Sequence, residues 1–348
     1  QRGRQWKLRL LIEWNLKGDL EIMPLLTMKQ IMADSVKLAT TDVDPKERYA
    51  VGAFNFSTIP EMVGIVEGAR EKNAPVILMA SLGAIKYIGS LELIAETAKG
   101  IAKTYPEVPF CLHLDHATDM EQIKQAVVAG FTNVMIDASK EDFETNIARS
   151  KEIADFAHNH SPYGINGCSV EAELGMLAGH EDNIHVEESG KAYTDPSLVK
   201  EFVDRTSCDS LAIAIGTSHG AYKFKGEAKL RFDILANVKQ KLPNTPIVLH
   251  GASTVIPELV EMCNKYGGDI PGAKGVPDEI LHEASISGVS KINVDTDLRL
   301  AMTAAIRKTF AEDPAVFDPR KYLGNARTLI EEVVKHKIKD VFGSSNKA

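Results

Sequence analysis

Cysteine, tryptophan and long apolar runs are all scarce in this sequence, and each scarcity excludes a class of protein. The 348 residues include only 4 cysteines and 2 tryptophans. The cysteines are scattered and form no closely spaced pair, which argues against a disulfide framework and favours buried thiols in a reducing compartment. No apolar run reaches the roughly 20 residues that a membrane-spanning helix requires. We therefore expect a cytoplasmic protein with no membrane partner.

An excess of positive charge is also missing. The formal net charge is −8 and the isoelectric point is about 5.7. A general nucleic-acid or acidic-membrane binder would carry a basic face, so we expect no nucleic-acid partner. A negative net charge does not exclude a small basic pocket for a phosphate group.

Residues 1–22 differ in character from the rest of the chain. They are basic at the start and apolar in the middle, with Glu13 interrupting the apolar run. We expect an N-terminal extension outside the fold. An organellar targeting helix is the alternative, since Arg2, Arg4, Lys7 and Arg9 precede any acidic residue. The segment from Met23 reads as a natural start, so the sequence predicts one domain over residues 23–348.

From residue 50 onward, short apolar runs alternate with longer helical stretches. Near-continuous apolar runs are typical of strands that are buried on both faces. Eight alternating units predict a (β/α)8 TIM barrel whose functional residues lie at the C-terminal ends of the strands. The predicted strands are 51–56, 76–80, 110–115, 134–137, 167–171, 211–215, 247–250 and 291–294.

The helical pattern predicts a helix over 120–129 with Asp119 at its N-terminus, a helix over 300–310, and an extra C-terminal helical segment over 318–339. Two connections, 175–195 and 264–277, are longer than is usual in such folds. The first carries several carboxylates and is a candidate lid. The sequence suggests no role for the second.

Histidines end three of the predicted strands. His116, His219 and His250 follow the third, sixth and seventh runs, and Asp115 directly precedes the first of them. One histidine at a strand end is usually a structural hydrogen-bonding residue, but three that converge on one barrel mouth favour a catalytic metal site. His113 lies deeper on the same side of its strand, and we expect a structural role for it.

Glycine turns follow two of these histidines, and polar residues end the eighth strand. Glycine lets backbone approach a ligand closely, and backbone N–H groups together with serine or lysine side chains can hold a phosphate. Barrels of this type often bind phosphate near the last two strands. The residues that suggest such a site are Gly220, Lys223, Gly251, Ser253, Asn293, Asp295 and Thr296.

The fifth unit contributes three carboxylates of interest. Glu171 and Glu173 close the predicted strand, and Glu181 lies among glycines on the long connection that follows. Most loop acids are solvated, but a carboxylate on a mobile lid could act as a proton shuttle. We expect that role for Glu181.

The blocks GAFNFS, HLDHATD, VEAELG, GTSHGAYK, LHGAS and KINVDTDLR occur in this order and resemble the signature blocks of class II fructose-bisphosphate aldolases. The resemblance covers residues 23–343. The long loop after the seventh strand and the tail FDPRKYLG are similar to the type B branch. HGAS differs from the HGGS of some relatives by the methyl group of Ala252.

The resemblance implies a role for each matching position. It implies one catalytic Zn²⁺ on His116, His219 and His250, with a monovalent cation as a further option. It implies that Asp115 is the acid/base at the carbon-4 hydroxyl and Glu181 the acid/base for the donor's proton. Glu173 matches a position near the metal or an alternative metal position. The implied substrate-binding residues are Asn55, Ser81, Gly220, Lys223, Gly251, Ser253, Asn293, Asp295 and Thr296.

The implied activity is the reversible cleavage of fructose 1,6-bisphosphate into two triose phosphates, a step of glycolysis and gluconeogenesis. A Schiff-base aldolase would need a desolvated lysine, with Lys223 or Lys291 as candidates, but the three histidines would then have no function. Three alternatives stay open. They are a tagatose-1,6-bisphosphate aldolase, a metal-dependent barrel hydrolase, and a non-catalytic binding protein on the same scaffold.

Two arginines near the C-terminus are candidates for the carbon-6 phosphate. Arg299 follows the eighth strand and should lie at the rim of its own barrel. Arg320 lies in a segment that resembles the one which, in this family, crosses the subunit interface. We therefore expect a homodimer or higher homo-oligomer in which Arg320 reaches the neighbouring site and Arg299 helps from within the chain.

Overall fold

Eight parallel strands close into a barrel in the order in which they occur along the chain. The computed structural model describes residues 25–160, 167–176, 193–220 and 229–348, with the backbone alone for two short strands between them and for His219. The barrel strands are β1 (Val51–Asn55), β2 (Val76–Ser81), β3 (Phe110–Ala117), β4 (Asn133–Ile136), β5 (Ser169–Leu174), β8 (Ser210–Ile213), β10 (Ile247–Leu249) and β11 (Lys291–Val294).

All eight predicted strands are therefore present, with ends that shift by a few residues. The largest shift is in β5, which begins and ends later than predicted and so includes Glu173. Three further strands, β6 (Ala178–Glu181), β7 (Ile184–Val186) and β9 (Ser218–His219), form a small separate sheet. The long connection after β5 thus pairs with the segment that follows β8, which apolar periodicity alone did not predict.

Helices cover the outside of the barrel, and the first of them closes one of its ends. They are α1 (Met28–Thr40), α2 (Ile59–Glu71), α3 (Leu82–Ile88), α4 (Leu91–Thr104), α5 (Met120–Ala129), α6 (Phe143–His158), α7 (Val199–Thr206), α8 (Phe232–Lys241), α9 (Pro257–Lys265), α10 (Asp278–Ile286), α11 (Thr296–Glu312) and α12 (Pro319–His336). A 3-10 turn, Pro45–Glu47, precedes β1, and a π turn, Lys337–Val341, follows α12. No described helix combines the length and apolar character that a membrane span requires.

The predicted helices are confirmed, and their ends have local causes. The side chain of Asp119 accepts hydrogen bonds from the backbone N–H groups of Glu121 and Gln122, which begins α5. Gly130, at φ 114°, ends it in a left-handed conformation that glycine adopts readily. The helix predicted at 300–310 extends further in both directions as α11. The predicted tail helix is α12 with its π turn.

The barrel interior changes from apolar to polar along its axis. At one end Met28 and Met32 of α1 pack against the inward side chains Val51, Ile77 and Cys111. Alternate residues of each strand face the same side, so the next inward positions continue toward the opposite mouth. There they are polar and buried: Asn55, Ser81, His113, Asp115, Glu171, Glu173, Lys291 and Asn293. Buried polar groups need partners, so this mouth is the place to look for a site.

Two glycines on α2 allow α12 to pack closely against it. A Cβ at Gly68 would lie 2.9 Å from the Cβ atom of Val334, and one at Gly64 would lie 3.1 Å from the carbonyl oxygen of Arg327. Both distances are shorter than ordinary contacts, so any larger residue would separate the two helices.

We predict that Gly68→Ala lowers the midpoint of thermal unfolding, at a cost of about 1–3 kcal/mol, because the new methyl group overpacks the α2–α12 contact. Gly100→Ala in α4 is the matched control, since a Cβ there meets nothing within 4 Å. That change should be neutral or stabilise by up to about 1 kcal/mol, as expected for alanine in a helix. Equal shifts in the two variants, measured by calorimetry, would contradict the close packing.

Candidate metal centre and active site

Two neighbouring residues of β3 contribute to one cluster, although a regular strand would send them to opposite faces. His116 has φ 46°, in the left-handed region that few non-glycine residues adopt. The register between β3 and β4 also shifts between Leu114 and Ala117. This irregularity re-aims the side chain, as β-bulges commonly do. As a result, ligand atoms of Asp115, His116 and His250 all lie within 4.8 Å of one another.

The two imidazoles face each other nitrogen to nitrogen. Nε2 of His116 lies 2.7 Å from Nδ1 of His250. The other nitrogen of each ring contacts a carboxylate: Nδ1 of His116 lies 3.2 Å from Asp137, and Nε2 of His250 lies 2.7 Å from Glu171. A carboxylate fixes the proton on the nitrogen that it contacts, so the two facing nitrogens are left as lone-pair donors.

Burial and neighbouring charges favour the protonation states that this arrangement needs. Burial, with the charge of His116 as the next cause, lowers the pKa of His250, which keeps the imidazole neutral. Burial alone would raise the pKa of Glu171, but Lys291 and His250 bring it below its usual value. Burial also acts to raise the pKa of Asp137, but contact with His116 outweighs it and lowers that pKa below its usual value. Neutral imidazole is the form that binds metals, so the donor set fits a metal ion.

Asp115 lies beside this pair and is held from two sides. Its Oδ2 accepts a hydrogen bond of 3.0 Å from the amide of Asn55, and its Oδ1 accepts one of 3.3 Å from Asn293. Asn293 also lies 3.2 Å from Nδ1 of His250, so one amide links the carboxylate to the imidazole pair. A carboxylate that is fixed next to a metal site is suited to take a proton from a bound hydroxyl group.

A second buried layer supports the first. Nζ of Lys291 lies 2.9 Å from Oε2 of Glu171 and 3.3 Å from Nε2 of His113, and all three side chains are fully buried. His113 therefore lies deeper than the cluster, as expected. Lys291 is held in an ion pair with Glu171, whereas a Schiff base requires a lysine amine that is free to react.

Glu173 is a buried carboxylate at the edge of the cluster. Its Oε2 has no hydrogen-bond partner among the described residues and lies 3.9 Å from Nδ1 of His116. Burial, followed by the charge of Asp137, raises its pKa well above the usual value. His116, Asp137 and Glu173 also offer ligand atoms within 4.8 Å of one another. An unsatisfied buried acid beside a histidine is a second indication that the mouth suits a cation.

The turn after β10 contacts the start of α11. Oγ of Ser253 accepts hydrogen bonds of 3.0 and 3.1 Å from the backbone N–H groups of Asp295 and Thr296. Gly251 has φ 60°, and Gly220, in the turn after β9, has φ 90°. Ser81 begins α3, where its hydroxyl accepts a hydrogen bond from Ala84. These predicted substrate-binding residues thus lie at or just after the C-terminal ends of strands.

The two candidate arginines lie in different places. Arg299 is half exposed and forms an ion pair of 2.7 Å with Asp295, which places it at the rim of its own barrel. Arg320 begins α12, is 88% exposed and pairs with Asp318. It lines a surface groove between α9, α11 and α12 that none of the barrel-mouth residues lines.

Three of the predicted positions lie outside the described residues in whole or in part. Lys223 is one of them, and the side chain of His219 is another, although its backbone pairs with Gly179. Glu181 ends β6, of which only the backbone is described. The third metal ligand and the mobile acid therefore stay predictions.

Sequence reasoning assigned no role to Asp137, although it orients His116. The signal was available, because Asp137 ends the fourth predicted strand just as Asp115 and His116 end the third. Glu171 was recognised as a strand-end residue, but its partner His250 is distant in sequence. Only the closed barrel brings those two residues together.

Paired imidazoles backed by carboxylates, a fixed carboxylate beside them and a polar turn at the last strands together define a (β/α)8-barrel enzyme with a candidate metal centre. Comparison with known proteins gives the family. The model of the family "Fructose-bisphosphate aldolase class-II" matches residues 40–269 and 270–347. The chain belongs to this family, whose members are metal-dependent.

Individual relatives agree. A fructose-bisphosphate aldolase of Helicobacter pylori strain J99 is 46% identical over 302 residues, which covers 87% of this chain and 95% of the relative. One of Giardia intestinalis is 42% identical over 327 residues, with 94% and 95% covered. The crystal structure of the YdjI aldolase from Escherichia coli K12 has a TM-score of 0.70 and 32% identity, with 93% and 99% covered.

We predict that Glu171→Gln weakens metal binding by about 10–100-fold, because the neutral amide lacks the negative charge that makes His250 a more basic ligand. The measurement is competition with a chelator of known affinity. Glu61→Gln is the matched control: Glu61 is also a buried carboxylate, but it accepts its hydrogen bonds from Ser57 and Thr58. Unchanged metal affinity in the folded Glu171 variant would contradict the role assigned to this carboxylate.

Proposed function

We propose that the protein catalyses the reversible cleavage of fructose 1,6-bisphosphate to dihydroxyacetone phosphate and glyceraldehyde 3-phosphate. The observation that carries this proposal is the position of Asp115 within hydrogen-bonding distance of Asn55 and Asn293 and next to the facing imidazoles of His116 and His250. Family membership supports the same reaction. A non-catalytic binding protein would not require this base beside a metal centre, and the family match favours an aldolase over a barrel hydrolase.

The metal that we propose is one Zn²⁺ per chain, held by His116, His250 and His219. Imidazole nitrogens are preferred ligands of this ion, and a fourth position stays open in catalytic sites. When bound, the metal supplies a Lewis acid for the carbonyl of the donor half of the substrate. A monovalent cation is a further candidate cofactor.

The protein's own groups move the protons. Asp115 takes the proton from the hydroxyl group on carbon 4, the bond between carbons 3 and 4 breaks, and carbon 4 becomes the aldehyde. The electron pair of that bond passes to the donor half. Glu181 then returns a proton to carbon 3, which completes dihydroxyacetone phosphate. In this proposal Asn55 and Asn293 orient the base, and Glu173 adjusts the charge around the metal site.

The two phosphates bind at different parts of the mouth in this proposal. Backbone and side chains of the turns near Gly220, Gly251 and Ser253 bind the donor phosphate, with Lys223, Asp295 and Thr296 completing that pocket. Ser81 lines the pocket at the end of β2. Arg299 and the partner copy's equivalent of Arg320 bind the carbon-6 phosphate, since a dianion in a partly closed site needs its own cation.

We place the enzyme in the cytoplasm as a homodimer or higher homo-oligomer that acts on a phosphorylated sugar, with no nucleic-acid or membrane partner. Four free and buried cysteines support a reducing compartment. The exposed position of Arg320, away from the barrel-mouth residues, supports a role at an interface between two copies.

We predict that the purified protein releases triose phosphates from fructose 1,6-bisphosphate and that a chelator abolishes this activity until Zn²⁺ is restored. A coupled triose-phosphate assay measures both. Borohydride should trap no covalent adduct, because an aldolase that uses a metal as its Lewis acid needs no Schiff base with a lysine. Faster turnover of tagatose 1,6-bisphosphate would reassign the substrate, and release of inorganic phosphate in place of triose phosphate would indicate a hydrolase.

Asp115→Asn is the internal control for that assay. It keeps the size of the side chain but removes the base, so cleavage should fall by about 10²–10⁴-fold while the metal content stays near that of the unchanged protein. Because Asp115 lies within the same group of ligand atoms as the two histidines, a parallel loss of metal would show that it is a ligand and not the base.

We further predict that Arg320 acts in the neighbouring site. Asp115→Ala and Arg320→Ala should each lower activity, and mixing them under conditions of subunit exchange should restore part of it, because a mixed dimer contains one complete site. Labelled subunits establish that exchange occurs. Lys321→Ala, next along the same helix, is the control and should keep its activity alone. If subunits exchange but activity does not recover, Arg320 either acts within its own chain or has no role in the reaction.

A further inference from the structure

The turn after β10, residues 250–256, adopts a backbone conformation that its own sequence does not favour. Val255 has φ 55°, a region that is unfavourable for a β-branched residue. Such conformations cost about 1–3 kcal/mol and persist only where the surroundings enforce them. The groups that enforce this one come from three distant parts of the chain.

The first group is the beginning of α11. The carboxylate of Asp297 is fully buried and accepts hydrogen bonds from the backbone N–H groups of Thr254 and Ile256, at 3.0 and 3.2 Å. Together with the bonds from Asp295 and Thr296 to Ser253, these tie the turn to the end of β11.

The second group is Lys337, in the π turn after α12. Its side chain is fully buried, and its Nζ lies 2.7 Å from Oδ1 of Asp278 and 3.3 Å from Oδ2 of Asp297, and also donates to the hydroxyl group of Thr254. That hydroxyl group in turn donates to Asp278 at 2.7 Å. A buried ammonium between two carboxylates is costly to leave half paired, so the contacts form or fail together.

The third group is the end of the 264–277 connection. A Cβ at Gly275 would lie 2.3 Å from the carbonyl oxygen of Ser253 and 2.4 Å from the carbonyl carbon of Thr254. The N–H group of Val276 donates to that same oxygen of Ser253 at 3.2 Å. Only glycine permits this approach. The connection for which the sequence suggested no role thus ends against the back of the turn.

We propose that Lys337 and Gly275 are positioning residues for the donor phosphate, acting through the 250–256 turn. The proposal rests on the proposed function, which assigns Gly251 and Ser253 to that phosphate. In this proposal neither residue contacts the substrate. Their effect is to hold the backbone N–H groups and the serine hydroxyl in place, and a displacement of about 1 Å is enough to lose much of a binding interaction.

The test compares Lys337→Met, which keeps the length of the side chain without its charge, with Lys337→Arg, which keeps the charge. Lys337→Met should raise KM for fructose 1,6-bisphosphate and the Kd of dihydroxyacetone phosphate by about tenfold or more, with a smaller change in kcat. Lys337→Arg should recover most of the affinity. Lys339→Met is the control, because Lys339 is 62% exposed and pairs only with Asp340 among the described residues.

Phosphate-free dihydroxyacetone separates positioning from general damage. Loss of fold or of metal weakens both donors alike, whereas a displaced turn weakens only the phosphorylated one. Metal content and the unfolding midpoint are measured on every variant. Gly275→Ala probes the same turn independently if Lys337→Met does not fold, with Gly100→Ala as its control.

Unchanged KM and Kd in a folded Lys337→Met or Gly275→Ala variant would overturn the proposal, as would an equal loss for both donors. These outcomes can be distinguished from a failure of the proposed function itself. If the unchanged protein neither cleaves fructose 1,6-bisphosphate nor binds dihydroxyacetone phosphate, the activity itself is refuted and this role falls with it.

Discussion

The contact between the imidazoles of His116 and His250 is the interaction on which the rest of the mouth depends. Their nitrogens lie 2.7 Å apart, and the carboxylates behind them direct both lone pairs into the same space. Two lone pairs at that distance repel each other, and a cation bound by both nitrogens would remove that repulsion. The surrounding structure therefore has to keep the two imidazoles in a cation-binding geometry. The charged side chains that do so are themselves buried.

Each buried charge requires another, and this requirement extends the site into the barrel. Glu171 orients His250 but would be unstable alone in an apolar interior, so Lys291 neutralises it and contacts His113 in the layer below. At the other end of the barrel, methionines from α1 close an ordinary apolar core. The polar half is thus a continuous network, in which the removal of one member leaves another charge uncompensated.

The barrel and the position of polar residues at its mouth could be predicted because both depend on local signals. Strands buried on both faces give continuous apolar runs, and polar residues that end such runs, such as Asp115 and Asn293, meet at the mouth of any barrel. The contacts between side chains that are distant in sequence could not be predicted. Asp137 with His116 depends on the left-handed backbone at His116, and Lys337 with Asp278 joins segments that only the closed fold brings together. The role of Arg320 was predicted from resemblance alone, and its side chain is exposed in one chain.

The contacts behind the 250–256 turn also give a structural role to the segment that follows the eighth barrel strand. A barrel closes with β11, but the turn after β10 has a strained residue at Val255 and needs contacts from behind. The α11–α12 pair carries Arg320 near its tip and then returns along α2, where Gly64 and Gly68 permit close packing. That return brings Lys337 to the turn. The same C-terminal segment therefore carries the arginine proposed for the neighbouring copy at one end and, at the other, contacts the turn that we propose for the donor phosphate.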